Sequence, residues 1–279
     1  MGKNTLDSFR LDGQLVVITG GAGLLGRKHA EAILDAGGTP ILIDVNSEKL
    51  RDVERDLKSR YDRSVGTDRV DITNETAVLE AKKKIESDWK KPVSVLINNA
   101  AIDPKLDSAR SDKVMSRLEN FPIEQWYTEI GVGLTGSLIC AKVFGTQMAK
   151  NGKGVILNIA SDLGVVAPDQ RLYQTPGIAD DSQNVKPVTY SVIKHGLIGL
   201  TKYLATYWAD RGVRTNAFAP GGVFNNHPDE FVQKISNLIP MKRMADKDEY
   251  KAAVLFLCSD ASSYMNGATL VMDGGRSIW

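Results

Sequence analysis

Short runs of apolar residues recur along the chain and alternate with longer stretches in which apolar and polar residues mix at a helical period. Runs this short suit strands that are buried on both faces, whereas the longer stretches suit helices. The predicted strands are 15–19, 40–44, 65–70, 93–98, 154–159, 213–219 and 268–272. The predicted helices are 24–36, 47–60, 74–90, 122–150, 189–211 and 246–259.

This alternation of strand and helix decides the predicted fold class. It is typical of α/β proteins in which a doubly wound parallel sheet, the Rossmann type, carries helices on both faces. No repeat, low-complexity segment or linker divides the 279 residues, so we expect a single domain over 1–279. In such a sheet the ligand lies across the carboxyl ends of the strands. Candidate functional residues are therefore those that directly follow each strand.

The first predicted strand ends in a glycine-rich turn. Gly21, Gly23 and Gly26 match the G-x-G-x-x-G spacing between a strand and a helix. Such a turn brings the backbone close to a pyrophosphate and points the first N–H groups of the helix at its charge. Asp44 ends the second strand, where an acidic residue commonly holds the adenosine ribose. The cofactor contacts predicted from these two strands are Gly20, Gly21, Gly23, Leu24, Leu25, Gly26, Asp44 and Val45.

Small and polar residues also follow the third, fourth and sixth strands. Asp71 suits a hydrogen bond from the adenine amine, or equally a cap for the helix that begins near residue 74. Asn99 and Ala100 offer hydrogen-bonding groups beside space for a flat ring. The cofactor contacts predicted from these strands are Asp71, Ile72, Asn99, Ala100, Pro220, Gly221, Gly222 and Val223.

A possible acid/base pair lies on the predicted helix 189–211. Tyr190 and Lys194 are four residues apart, so their side chains share one helix face. An ammonium near a phenol favours the phenolate and lowers its pKa from about 10. A phenol of this kind suits general acid/base catalysis at an alcohol or a carbonyl near neutral pH. Ser161, which follows the fifth strand, is by itself an ordinary turn serine.

These residues, in this order, resemble the short-chain dehydrogenase/reductase family over about 11–275. The resemblance implies that Thr19 and the glycines that follow it bind the pyrophosphate of a nicotinamide dinucleotide. It also implies that Asp44 holds the adenosine ribose and that Asp71 contacts the adenine. Residues 220–223 would flank the nicotinamide.

The same resemblance implies a catalytic group of Ser161, Tyr190 and Lys194. Ser161 would form a hydrogen bond with the reacting oxygen, and Tyr190 would be the general acid/base. Lys194 would bind the nicotinamide ribose while it tunes Tyr190, so both side chains would also contact the cofactor. Asn98 would support the central strand.

Two positions depart from the usual pattern of the family. Leu24 stands at the middle glycine place with Gly23 before it, a spacing similar to that of a longer branch that processes sugar nucleotides. Gly133 stands where the family usually has an asparagine that helps to hold a water in the proton path. We therefore expect a three-residue Ser–Tyr–Lys site. The glycine turn, the long interval between Ser161 and Tyr190, and the segment 220–224 resemble a subgroup associated with flagellin modification and surface-sugar synthesis.

Composition narrows the class of partner and the compartment. The formal net charge is +1 without a basic tail, which argues against nucleic acid as a partner. No apolar run approaches the roughly 18 residues that span a bilayer, and the first residues lack the apolar core of a signal peptide. Cys140 and Cys258 lie in apolar surroundings and indicate buried free thiols in a reducing compartment, so we expect a cytoplasmic protein. His29, His195 and His227 show no metal-ligand spacing, and no metal is predicted.

The preferred function is an oxidoreductase that transfers a hydride between NAD(H) and a hydroxyl or carbonyl of a small polar substrate. Asp44 favours NAD over NADP, because its carboxylate would repel a 2′-phosphate and no basic residue directly follows it. The irregular segments 103–120, 165–189 and 223–240 are the predicted pocket walls, and their polarity favours a sugar-like substrate and a role in carbohydrate metabolism. Whether the first of them is functional or solvated filler stays open.

Two other functions stay open at this point. One is a nucleotide-sugar epimerase or dehydratase that uses bound NAD without net turnover. The other is a cofactor-binding module without catalysis. The last predicted strand, 268–272, is an edge strand of the kind that meets a copy of itself, so we expect a homo-oligomer, either a dimer or a tetramer.

Overall fold

The computed structural model describes residues 4–102 and 114–279. Within these ranges seven parallel strands form one sheet in the order β3-β2-β1-β4-β5-β6-β7. The strands are β1 Leu15–Thr19, β2 Thr39–Asp44, β3 Gly66–Arg69, β4 Val93–Asn98, β5 Gly154–Ile159, β6 Val213–Pro220 and β7 Thr269–Met272. The order reverses between β1 and β4, and this reversal opens a crevice at the carboxyl ends of the strands. The predicted doubly wound α/β fold is confirmed.

Helices connect these strands and cover both faces of the sheet. Six of them are regular: α1 Leu24–Asp35, α2 Ser47–Arg60, α3 Glu75–Trp89, α5 Val188–Tyr207, α6 Asp229–Asn237 and α7 Lys251–Cys258, all among the residues described. Between α3 and α5 a continuous helical segment, 123–150, forms α4. Two stretches of α4, Gly131–Thr135 and Ala141–Gly145, are π-helical. The wider π-helical turns interrupt the α-helical register twice along α4, which changes the side chains that face α5.

Alternate strand residues build two apolar cores, one on each face of the sheet. Val16 and Ile18 of β1 pack in one core with residues of α1, α2 and α7. Leu15 and Val17 pack in the other core with residues of α3, α4 and α5. Since successive side chains of a strand point to opposite faces, both faces of β1 are covered. The strand ends that carry the candidate site are therefore fixed in a rigid sheet.

One predicted helix begins later than its pattern indicates. Residues 246–250 belong to a turn, and α7 starts at Lys251. Side chains compete with the helix here, because the Asp246 N–H donates to Glu249 Oε2 at 2.7 Å and the Asp248 N–H donates to Asp246 Oδ1 at 3.0 Å. Conversely, α6 lies in a segment for which the sequence predicted no regular structure.

None of the helices in the described ranges combines the length and the apolar character that a bilayer crossing requires. The predicted cytoplasmic location stays a prediction. Both cysteines, Cys140 and Cys258, are free and buried, and burial raises the pKa of each thiol to about 12. Thiols of this kind stay protonated at neutral pH, and we expect them to be inert.

Protonation of His29 links the stability of this fold to pH. The residue lies in α1 and is 1% exposed. Burial lowers its pKa from 6.5 to about 4, an effect that the nearby Asn99 side chain opposes only in part. Neither ring nitrogen has a hydrogen-bond partner of normal geometry among the described residues. The folded protein therefore holds a neutral imidazole at neutral pH.

Below pH 6.5 the unfolded chain binds a proton that the folded chain excludes until about pH 4, so the free energy of unfolding falls as the pH is lowered. His29→Leu removes this proton uptake. Between pH 7 and pH 4, we expect the wild type to lose about 3 kcal/mol more stability than His29→Leu, measured by urea unfolding. His195→Gln, a change at an exposed histidine, should follow the wild type. Parallel stability curves for wild type and His29→Leu would contradict the argument.

Candidate active site

A cleft with a volume of about 480 Å³ lies where the sheet order reverses. The sequence predicted half of its lining. Those residues are Gly20, Gly23, Leu24, Leu25, Asp44, Asn99, Ala100, Ser161, Tyr190, Lys194, Pro220, Gly221, Gly222 and Val223. Five predicted cofactor residues are not part of the lining, namely Gly21, Gly26, Val45, Asp71 and Ile72. The candidate site is therefore assembled from the carboxyl ends of several strands, the segments that follow them, and helix α5.

The glycine turn after β1 forms one end of the cleft. The Gly23 N–H donates to the carbonyl of Gly20 at 3.0 Å, and α1 begins at the next residue with Gly23 as its N-cap. A Cβ at position 26 would overlap the carbonyl oxygen of Gly20, and a Cβ at position 21 would lie 2.7 Å from Leu42 Cβ. Gly21 and Gly26 therefore shape the turn by close packing, while Gly20 and Gly23 face the cleft.

Asp44, at the end of β2, is tied to this turn. Its Oδ2 accepts the Ala22 N–H at 3.2 Å, and its Oδ1 accepts the Asn46 N–H at 3.0 Å. These bonds hold the carboxylate at the edge of the cleft beside the glycine turn, where the sequence predicted the ribose. The next residue, Val45, is 59% exposed and lies outside the cleft.

Asp71 and Ile72, which follow β3, serve the local structure. Asp71 Oδ1 accepts the backbone N–H and the hydroxyl of Thr73 at 2.9 and 2.7 Å. The cap of α3 is Asn74, whose Oδ1 accepts the Ala77 N–H at 3.1 Å. The suggestion that Asp71 caps this helix is therefore wrong. Ile72 is buried in the apolar core.

A cluster of bonds ties the glycine turn to the end of β4. Thr19 Oγ1 accepts the N–H groups of Asn99 and Ala100, both at 2.9 Å. The Asn99 amide donates to the carbonyls of Thr19 and Gly20 at 3.0 and 3.1 Å. Thr19 is buried and is not among the residues that line the cleft, so its side chain serves this tie. The pyrophosphate contact that the family resemblance implied for Thr19 stays a prediction.

Asn98 links the two central strands, as the resemblance implied. Its Nδ2 donates to Asn158 Oδ1 on β5 at 2.9 Å and to the carbonyl of Ser137 on α4 at 3.2 Å. Asn158 Nδ2 donates in turn to Thr201 Oγ1 on α5 at 2.9 Å. This chain of buried amides aligns β4, β5 and α5, which carry the candidate catalytic group.

Ser161 and the Tyr190–Lys194 pair meet because the turn after β5 packs against α5. A Cβ at Gly164 would lie 2.8 Å from the carbonyl oxygen of Lys194, so only glycine permits this approach. Lys194 is buried, and its Nζ donates to the carbonyl of Ile159, the last residue of β5, at 2.8 Å. The same Nζ lies 5.6 Å from the centroid of the Tyr190 ring. All three predicted catalytic residues line the cleft.

A second ammonium group lies close to Tyr190. Lys186 Nζ is 3.8 Å from the centroid of the Tyr190 ring, and Lys186 also lines the cleft. Gln170 holds this part of the chain, because its side chain accepts the Lys186 N–H at 2.8 Å and donates to the Lys186 carbonyl at 3.4 Å. Lys186 lies in the predicted pocket wall 165–189 but was not singled out, although a lysine four residues before Tyr190 was a visible signal.

Gly133 is buried against α5. A Cβ at this position would lie 2.7 Å from Ile193 Cγ2, so a side chain here would require Ile193 to move. The carbonyl of Gly133 accepts the Ser137 hydroxyl at 3.0 Å. The place that an asparagine usually occupies in the family is thus filled by the neighbouring isoleucine.

Sequence reasoning also missed an ion pair beside Ser161. Ser161 Oγ donates to Asp162 Oδ1 at 2.7 Å, and Asp162 Oδ2 lies 2.7 Å from Arg276 Nη1. The adjacency of Asp162 to Ser161 was the one available signal. Arg276 gave none, because it is 114 residues away in the chain.

The remaining wall of the cleft is more apolar than its sequence indicated. Six residues line it: Leu172 and Tyr173 from the predicted wall 165–189, His227, Phe231 and Ile235 from the predicted wall 223–240, and Met244. Arg171, in the predicted wall 165–189, is exposed, and its Nη2 lies 2.7 Å from Asp169 Oδ2. Most of the predicted wall 103–120 lies outside the described residues, and only 114–120 fall within them. Within the described ranges, no cluster of three or more potential metal ligands occurs.

Two family models match this chain. The model described as short chain dehydrogenase matches residues 14–175, and the model described as Enoyl-(Acyl carrier protein) reductase matches residues 178–277. The chain belongs to the short-chain dehydrogenase/reductase family. It is an oxidoreductase that acts on CH–OH groups with a nicotinamide cofactor.

Similar proteins match over almost their entire length. D-threitol dehydrogenase of Mycolicibacterium smegmatis is 30% identical, and the match covers 97% of this chain and 95% of the relative. Galactitol 2-dehydrogenase (L-tagatose-forming) of Cereibacter sphaeroides is also 30% identical, with 97% and 98% covered. A crystal structure of gluconate 5-dehydrogenase from Burkholderia cenocepacia, in complex with NADP and tartrate, is 26% identical with a TM-score of 0.83, and 98% and 99% of the chains are covered.

Replacing Gly26 tests whether the glycine turn holds the cofactor. We expect Gly26→Ala to weaken NADH binding at least about tenfold and to destabilise the fold by about 1–3 kcal/mol, because the turn must open to admit the methyl group. Fluorescence titration with NADH and thermal unfolding measure the two effects.

Gly199→Ala is the matched control. Gly199 is exposed on α5 and has no atom within 4 Å of its would-be Cβ, so alanine should leave binding unchanged and stabilise the helix by up to about 1 kcal/mol. Wild-type NADH affinity in Gly26→Ala would show that this turn does not hold the cofactor.

Proposed function

We propose that the protein is an NAD-dependent polyol dehydrogenase, in which one domain carries both the cofactor site and the substrate site. It would transfer a hydride between NAD(H) and a secondary hydroxyl, or the corresponding carbonyl, of a small sugar-like molecule. The observation that carries the proposal is that Ser161, Tyr190 and Lys194 line the same cleft as the glycine turn. The two relatives named for threitol and galactitol support the substrate class.

The proton would move through Tyr190. Lys194 Nζ and Lys186 Nζ place positive charge near its ring, and this charge stabilises a phenolate oxygen. The phenolate accepts the hydroxyl proton during oxidation, and the phenol returns it during reduction. Ser161 supplies a hydroxyl for the reacting oxygen from the end of β5. With Gly133 at the position of the usual asparagine, we expect the hydrogen bond of Lys194 to the Ile159 carbonyl to orient the lysine.

When bound, the nicotinamide ring supplies the hydride acceptor or donor. The glycine turn and the first N–H groups of α1 suit the pyrophosphate, because a helix N-terminus attracts negative charge. Asp44 is placed for the adenosine ribose, and its carboxylate would repel a 2′-phosphate. Asn99, Ala100 and the segment 220–223 would flank the nicotinamide. The proposal therefore keeps the preference for NAD over NADP.

Other functions have less support. An epimerase or dehydratase that retains its NAD would belong with the longer, sugar-nucleotide branch, whereas the similar full-length relatives carry dehydrogenase names. A cofactor-binding module without catalysis would not require Ser161, Tyr190 and Lys194 to line the same cleft. The narrower placement among flagellin-modifying and surface-sugar enzymes rests on the glycine turn and on 220–224, and sugar nucleotides in a substrate screen would test it.

The protein is also proposed to form a homo-oligomer through β7. This strand is at the edge of the sheet, and Val271 and Met272 are more than one third exposed. An open strand edge with apolar side chains favours pairing with a second copy. Light scattering that finds only a 30.4 kDa particle would refute this.

A screen of polyols tests the function. D-threitol, galactitol and neutral sugars are offered with NAD and with NADP, and the reduced cofactor is followed by absorbance. We expect turnover of at least one polyol, with kcat/KM higher for NAD by about tenfold or more, since like charges near Asp44 disfavour NADP. The proposed substrate class would be refuted if the protein oxidises none of the polyols and reduces none of the matching ketoses.

Tyr190→Phe tests the mechanism. Without the phenol oxygen we expect kcat to fall by about 10²–10⁴-fold while NADH binds as before, because general acid/base catalysis contributes about this much. Tyr203→Phe, on the same helix but exposed to solvent, is the matched control and should keep the wild-type rate. Full turnover in Tyr190→Phe would show that another group moves the proton.

A further inference from the structure

Arg276, three residues from the C-terminus, reaches into the cleft beside Ser161. Its Nη1 lies 2.7 Å from Asp162 Oδ2, and the exposed fractions of the two side chains are 9% and 4%. Both residues line the cleft together with Ser161. A carboxylate and a guanidinium this deeply buried are costly unless they are paired, so each depends on the other.

The other oxygen of Asp162 is bonded to the candidate catalytic serine. Asp162 Oδ1 accepts the Ser161 hydroxyl at 2.7 Å and the Leu163 N–H at 2.8 Å. The Leu163 N–H also lies 3.2 Å from Ser161 Oγ. The position and direction of the hydroxyl are therefore set by Asp162 and Leu163, which follow Ser161 directly in the chain, and Arg276 forms an ion pair with Asp162.

The segment that carries Arg276 is itself held in place. Asp273 accepts the N–H groups of Gly275 and Ser277 at 2.9 and 2.8 Å, which closes the chain into a tight turn after β7. The Trp279 indole donates to the Leu238 carbonyl at 3.0 Å. Since both sides of Arg276 are anchored, its approach to Asp162 is a property of the fold.

The charge of Arg276 matters most when substrate binds. Ser161 must then transfer its hydrogen bond from Asp162 to the reacting oxygen. A carboxylate without a counter-charge would hold the hydroxyl proton more tightly and would repel the negative charge that develops on that oxygen. Arg276 occupies one carboxylate oxygen and balances this charge, which leaves the serine oriented yet able to donate to the substrate.

We propose that Asp162 and Arg276 are positioning residues for Ser161, so that the C-terminal segment 273–279 takes part in catalysis through this pair. The inference rests on the proposed function in one respect, namely that Ser161 forms a hydrogen bond with the reacting oxygen. The competing explanation is that this ion pair only holds residues 273–279 against the turn after β5.

A double-mutant cycle between Ser161→Ala and Arg276→Met separates these explanations. Wild type, both single variants and the double variant are compared in the oxidation of whichever polyol the screen finds fastest. In the wild-type background we expect Arg276→Met to lower kcat by about tenfold to a hundredfold, with little change in NADH affinity. In the Ser161→Ala background the same change should cost less than about threefold, because the serine through which it acts is gone.

Each outcome of the cycle has a clear meaning. Equal losses of kcat in both backgrounds would overturn the positioning role and would show that Arg276 only stabilises the structure. No loss in the wild-type background would overturn it as well. Full activity of Ser161→Ala would instead refute the role of Ser161 in the proposed function, and the inference that rests on it.

Two further variants guard against misfolding as the cause of a loss. Asp162→Asn keeps an oxygen that can accept the Ser161 hydroxyl. In a double-mutant cycle with Ser161→Ala, Asp162→Asn should likewise lower kcat less when Ser161 is absent than when it is present. Arg276→Lys keeps the charge and should recover part of the rate that Arg276→Met loses. Arg243→Met breaks an exposed pair with Glu249 and is the control that should keep wild-type kcat. A loss in Arg243→Met equal to that in Arg276→Met would contradict a specific role.

Discussion

The candidate site depends on one close contact, between the turn after β5 and helix α5. Gly164 lies against the backbone of Lys194, and no residue with a side chain fits there without displacing the helix. Through this contact Ser161 faces the same cleft as Tyr190, and the Lys194 ammonium reaches the Ile159 carbonyl. Without it, a serine on a strand end and a tyrosine on a helix would be unrelated surface groups.

The sheet supplies the second half of the arrangement. Buried hydrogen bonds from Thr19 and Asn99 join the glycine turn to the end of β4, and the amides of Asn98 and Asn158 join β4 to β5. These hydrogen bonds within the protein fix the carboxyl ends of the strands relative to one another. The cofactor half and the catalytic half of the site are thus held in one rigid frame, which suits hydride transfer over a short fixed distance.

The sequence was sufficient wherever local pattern decides structure. Apolar runs located the strands to within about a residue, and the glycine spacing located the turn, because burial and backbone conformation are local requirements. The start of α7 was wrong, since the side-chain bonds of Asp246 and Glu249 outweigh helical periodicity. The pairing of Asp162 with Arg276 could not be predicted, because contact between residues 114 positions apart is a product of the fold. For the same reason the close packing of Gly133 on Ile193 became visible only in three dimensions.

Deuterium transfer shows whether hydride passes between the substrate carbon and the nicotinamide inside this cleft. A polyol that is turned over is deuterated at its carbinol carbon and oxidised with NAD, and the NADH formed is analysed by NMR. We expect deuterium at C4 of the nicotinamide, on one face of the ring only. Label that returns to an inverted sugar carbon, or NADH that forms without deuterium, would contradict it.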